Sequence, residues 1–175
     1  MKRSAIFSLI LGAASFLSAC GGSDDREPVT PYLESIDAHL NAFQGSLDTH
    51  SADVGAAKSL EEVTKAEDDH AAEMVTHMQS LESDLDHVAM CTDGYGNAAD
   101  TGDMHKHVAD MVSACEAHET AMAAAPDMAA VHMEEDHHKT VMAELIGKMR
   151  TSRETLMGIE MAGGRGMHTC PTTHE

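Results

Sequence analysis

The sequence predicts an all-α protein, an antiparallel up-down four-helix bundle built from two copies of one helical hairpin. Three observations predict it. Apolar residues recur at alternating spacings of three and four through four long stretches, the pattern of helices that bury one face. The links inside the first pair of stretches and inside the second are short, which makes each pair antiparallel neighbours. An acidic-histidine run also occurs twice: Glu67-Asp68-Asp69-His70 and Glu135-Asp136-His137-His138 stand 68 residues apart. The same offset pairs His39 with His107, His50 with His118, Met74 with Met142 and Val63 with Val131. The repeat therefore spans whole hairpins.

Residues 1–19 read as an export signal. Lys2 and Arg3 give a positive start, and Ala5 to Leu17 is an apolar run too short for a comfortable membrane-spanning helix. The run closes on Leu17-Ser18-Ala19-Cys20, which resembles the lipobox of bacterial lipoproteins. The resemblance implies that Cys20 is acylated, becomes the first residue of the mature chain and holds it to a membrane. Gly21, where an Asp commonly signals inner-membrane retention, implies the outer membrane on its periplasmic side in a Gram-negative host. Residues 20–30, polar and rich in Gly, Asp and Pro, read as a flexible tether.

The bundle is expected over 31–162, with repeats 31–91 and 99–159 and a loose tail at 163–175. Helix one runs from about Pro31 to Val54, with Leu33, Ile36, Leu40, Phe43, Leu47, His50 and Val54 on its seam. Residues 55–58 link it to helix two, which Ser59-x-x-Glu62 opens as a capping box. Helix two presents Leu60, Val63, Glu67, His70, Met74, His77, Leu81 and Val88 and ends near Cys91. The stretch from Cys91 to Gly102, with three glycines, reads as the loop between repeats. Helix three, from about Asp103 to Ala124, shows Met104, Val108, Met111, Cys115, His118 and Met122. Asp127 caps helix four, which runs through Val131, Glu135, His138, Met142, Leu145, Met149 and Leu156 to about Ile159.

Composition narrows the function. The 175 residues suffice for one domain plus the leader. With no Trp, two Tyr and three Phe against fourteen Met, the core must come from Leu, Val, Ala and Met. The net charge of -19 repels nucleic acid and anionic headgroups and attracts cations, so no nucleic-acid partner is expected.

Two carboxylates and four imidazoles interrupt the apolar seams. Folding helix one back on helix two places residues whose numbers sum to about 113 at one height. Glu67 then faces residue 46, and His50 lies about one turn nearer the link. Helical side chains lean toward their own N-terminus, so His50 and Glu67 lean toward each other. His70 lies one turn beyond Glu67 on the same face. The second repeat supplies His118, Glu135 and His138, giving six metal-ligand candidates: His50, Glu67, His70, His118, Glu135 and His138. Nitrogen and oxygen donors suit iron, zinc or copper, one ion or two, with Glu67 and Glu135 as bridges.

Glu67-x-x-His70 and Glu135-x-x-His138 resemble the ligand pattern of ferritin-like di-metal bundles. The resemblance implies a metal centre in the bundle core. It covers helices two and four only. That family adds a Glu from each of the other helices, whereas Phe43, Leu47, Met111 and Cys115 stand at that height here. His50 and His118, one turn away, would take that place, which moves the expectation from iron oxidation toward binding.

His39, His77, His107 and Cys115 are secondary metal candidates, with flank packing and an inert buried thiol as the plainer readings. Cys91 and Cys170 fall at one end of the bundle, where export favours a disulfide. The chain has no Cys-x-x-Cys-His, which excludes covalent c-type haem attachment and leaves a non-covalent haem between His and Met open; with no Gly-x-Ser-x-Gly, P-loop or His-Glu-x-x-His, no catalytic residue is assigned. The expected function is metal sequestration, buffering or delivery at the envelope. The alternatives are a redox-active di-metal enzyme, or a structural or partner-binding lipoprotein whose His and Glu pair without metal.

Overall fold

The computed structural model describes residues 26–28, 30–92, 98–162 and 169–171, with side chains over 30–90 and 101–156. The leader, the lipobox and Cys20 lie outside the described residues, and the side chains of Cys91 and Cys170 lie outside the described side chains. Four helices, α1 (Thr30–Ala56), α2 (Leu60–Thr92), α3 (Ala98–Ala124) and α4 (Met128–Ala162), pack as an up-down four-helix bundle. Each helix touches its two neighbours around a square, α1 with α2 and α4, and α3 with α2 and α4. None of the described helices is long and apolar enough to cross a membrane.

Local chemistry fixes the two hairpin corners. At the start of α2 the Ser59 hydroxyl accepts the Glu62 N–H at 3.3 Å, and Glu62 Oε2 accepts the Lys58 N–H at 2.6 Å. The capping box therefore closes one residue earlier than the usual reciprocal pattern. At α4, Asp127 Oδ1 accepts the Ala130 N–H at 3.0 Å, satisfying one of the donors a helix start leaves free.

Gly102 does not end the loop between repeats. It lies inside α3, which starts at Ala98, five residues before the expected Asp103. Thr101 and Met104 on either side are buried, and that packing outweighs the roughly 1 kcal/mol a helical glycine costs. The expected tether and tail are also less independent than their composition suggests. Arg26–Pro28 (β1) and Thr169–Pro171 (β2) pair antiparallel, with Glu27 opposite Cys170.

The seams predicted from spacing form the core, except that Leu60, in the first turn of α2 beyond the packed layers, is 42% exposed. Leu33, Ile36, Leu40, Phe43 and Leu47 of α1 meet Met74, Met78, Leu81 and Leu85 of α2. Met104, Val108 and Met111 of α3 and Met142, Ile146 and Met149 of α4 complete this cluster. The methionines are thus mainly core filler, and truncating one such Leu or Met to Ala costs about 2–5 kcal/mol. A smaller cluster, Val54, Val63, Met122 and Val131, closes the end of the bundle that carries the corners. Between the two apolar clusters lies one polar layer, and it contains His50, His70, His118 and His138.

Candidate metal centre

One turn of each helix contributes to that layer. His50 of α1, His118 of α3, and His70, His138 and Glu135 of α2 and α4 are buried, and the Glu67 side chain is 13% exposed. His50 Nε2 lies 3.2 Å from Glu67 Oε1 and 3.1 Å from Glu135 Oε2. His118 Nε2 lies 3.3 Å and 3.6 Å from the same two oxygens. The hairpin repeat thus becomes a pseudo-two-fold arrangement in which each carboxylate stands between an imidazole of its own half and one of the other half. One donor atom from each of His50, Glu67, His118 and Glu135 lies within 4.8 Å of all the others, and this buried group can hold a metal ion.

His70 and His138 flank the four. The His70 ring stacks on His50 with centroids 4.2 Å apart, and the His138 ring stacks on His118 at 3.9 Å. Across the axis, His70 and His138 meet edge to face at 6.0 Å. All six residues singled out from the sequence therefore share one layer, but only His50, Glu67, His118 and Glu135 form the group of close donor atoms, and His70 and His138 stand beside it.

The contacts are close, yet they are not hydrogen bonds. Both ring nitrogens of His50 and of His118, Nε2 of His70 and of His138, Glu67 Oε1 and both Glu135 carboxylate oxygens are buried without a hydrogen-bond partner. At 3.1–3.3 Å these atoms are near enough to bond, so direction is what fails. Metal–ligand bonds of about 2.1 Å give ligand–ligand edges of about 3.0 Å in an octahedron and about 3.4 Å in a tetrahedron. The His–Glu edges here run from 3.1 to 3.6 Å.

Electrostatics follow from the same geometry. Burial alone would lower His50, but the carboxylates of Glu135 and Glu67 together outweigh it and raise its pKa to about 9. Burial would raise Glu67, and His118 and His50 outweigh that, holding it at about 2. At His70 and His138 the carboxylates compensate too little. Burial first, then the neighbouring imidazoles, push each down to about 3. The metal-free layer thus holds a proton on His50 between two acids, with neutral His70 and His138 at its edges.

Three participants were not singled out from the sequence. Ser46 donates its hydroxyl proton to Glu73 Oε2 at 2.6 Å and faces His70 Nδ1 at 3.1 Å. Glu134 Oε1 lies 3.6 Å from His118 Nδ1. The one advance signal for Ser46 is its number, opposite Glu67 in the hairpin register; nothing in the pattern marks Glu73 or Glu134.

The secondary candidates lie elsewhere. His39 and His77 are neighbours with ring centroids 5.8 Å apart, and His39 Nε2 is 3.5 Å from Asp84 Oδ2 beside an open groove of about 430 Å³. His107 Nδ1 is 4.0 Å from Asp110. Cys115 is a free buried thiol whose pKa burial pushes up to about 12. It lines a cavity of about 10 Å³ on the α2–α3 side, together with Ala71, Glu119 and four of the six central residues. Among the described residues, these four candidates do not join the group of close donor atoms.

Comparison of the chain with protein-family models, with curated proteins and with solved structures finds no match. The functional reading therefore rests on the layer itself.

Proposed function

We propose that this chain is an envelope lipoprotein that holds a transition-metal ion in the middle of its bundle, for sequestration, buffering or delivery. The observation that carries the reading is the set of buried nitrogens and oxygens that approach within hydrogen-bond distance and yet do not bond to one another. An unpaired buried polar atom costs roughly 1–3 kcal/mol, and this layer gathers several. A shared cation satisfies them together, and His50, Glu67, His118 and Glu135 supply its first four ligands. Two imidazoles and two carboxylates suit iron, zinc or Cu(II). Lipid attachment at Cys20 rests on the Leu17-Ser18-Ala19-Cys20 motif and places the centre at the membrane surface, outside the reducing cytoplasm.

A second reading, a redox-active di-metal enzyme, draws on the cavity of about 10 Å³ beside Glu67 and His118, room for about one water molecule as a further ligand. Equilibrium dialysis of the untagged mature chain against Fe(II), Zn(II) and Cu(II) tests the binding itself. Retained metal in the wild type and its loss in His50→Ala/His118→Ala support the reading. No retained metal refutes it, and the layer is then a His–Glu network held by a proton. Oxygen uptake by the loaded protein separates the enzyme from the carrier.

A further inference from the structure

The two halves of the layer match in their ligands but not behind them. In the first half, Glu73, one turn beyond His70 on α2, accepts the Ser46 hydroxyl proton at 2.6 Å. A serine hydroxyl has one proton, so its oxygen is left only as an acceptor. His70 Nδ1, 3.1 Å from that oxygen, must then carry the ring's N–H and donate it. A neutral imidazole with its proton on Nδ1 keeps a lone pair on Nε2. His70 Nε2 is the atom that is buried without a partner.

The repeat offset of 68 carries Ser46 to Ala114 and Glu73 to Val141. Neither side chain can accept or donate a hydrogen bond, so among the described residues these positions give His138 no equivalent pair. Ser46 itself is buried, where an alanine, as in the second repeat, would suit the helix better.

We propose that Ser46 and Glu73 are positioning residues that lock His70 as an Nε2 ligand, so that the first ion is held on the His70 side of the pseudo-two-fold axis. His138, whose repeat-equivalent positions carry no such partners, then stands on the weaker side. This inference rests on the metal-binding reading of the same layer and adds an order to it. Hydrogen bonds of this kind, which fix the tautomer and rotation of a ligating imidazole, are worth about 10–100-fold in metal affinity.

Co(II) is the probe, titrated into the full mature chain and followed by isothermal calorimetry and by paramagnetically shifted ring N–H resonances in proton NMR. Ser46→Ala is expected to weaken the first binding step by about 10–100-fold and to lose one slowly exchanging shifted N–H signal. Ser46→Thr, which keeps the hydroxyl, is expected to restore both. His70→Ala should weaken the first step more than His138→Ala. Ala114→Ser with Val141→Glu should tighten the weaker half, a gain that misfolding cannot mimic. If Ser46→Ala binds like the wild type, or His70→Ala and His138→Ala are equal, the proposal fails while metal binding stands. If the wild type takes up no Co(II), the metal reading fails and this inference with it.

Discussion

His50 and Glu135 belong to different halves of the chain, 85 residues apart, and bring Nε2 and Oε2 to within 3.1 Å in the middle of the bundle. The pair joins α1 to α4, while His50 also reaches Glu67 of α2. One imidazolium therefore separates two buried carboxylates in the metal-free protein.

Removing that imidazole leaves Glu67 and Glu135 to share His118, which lies 3.3 Å and 3.6 Å from them. His50→Ala is expected to lower the stability of the metal-free protein at pH 7 by about 3 kcal/mol, the range found when a buried ion loses its partner. The loss should shrink near pH 5, where one carboxyl can take a proton. Urea denaturation at the two pH values checks both statements, and equal losses would contradict the charge assignment.

Stability of the metal-free protein should peak near neutral pH. His70 and His138, held at about 3, stay neutral in the folded chain while the unfolded chain protonates near 6.5. Their contribution is complete above 6.5 and is lost as pH falls toward 3. Glu67, held at about 2, adds a loss from about 4.5 downward. His50 acts in the opposite sense: its contribution is complete below 6.5 and disappears as pH rises through about 9. Denaturation midpoints from pH 4 to 10 should form a dome. A protein more stable at pH 4 than at 7 would overturn this account.

Metal must displace the His50 proton. At pH 7.5 Glu67 is already ionised and His70 and His138 are already neutral. Binding of the first ion should therefore release about one proton from His50. Calorimetry in buffers of different ionisation enthalpy reads the number directly. Release of none would contradict the proton placed on His50.

The layer and its surroundings differ in how far the residues announce them. Within each hairpin, helix geometry and side-chain lean sufficed to bring His50 to Glu67, because short links fix which heights face each other. The contact of His50 with Glu135 also depends on how one hairpin rotates against the other, which no period in the chain encodes. Ser46, Glu73 and Glu134 were illegible for a related reason: a polar residue flanking a seam looks like any solvated residue until its neighbour helix is placed. Gly102 misled because the rule that glycine breaks helices omits the packing of Thr101 and Met104. The β1–β2 pairing joins segments at opposite ends of the chain, and two three-residue strands leave no usable alternation.

Cys115 is expected to be packing rather than ligand. Its neutral thiol sits in the α3 seam, outside the group of close donors. Cys115→Ala should keep the full metal content and lower stability by about 1 kcal/mol, as for a small buried side chain. Loss of metal in this variant would bring sulfur into the centre.

X-ray absorption of the zinc-loaded mature chain tests the central claim most directly. Nitrogen and oxygen neighbours are expected at about 2.0–2.1 Å, with outer-shell scattering from at least two imidazoles and no sulfur at about 2.3 Å. A sulfur shell, a spectrum without imidazole scattering, or a protein that leaves dialysis without zinc would contradict it.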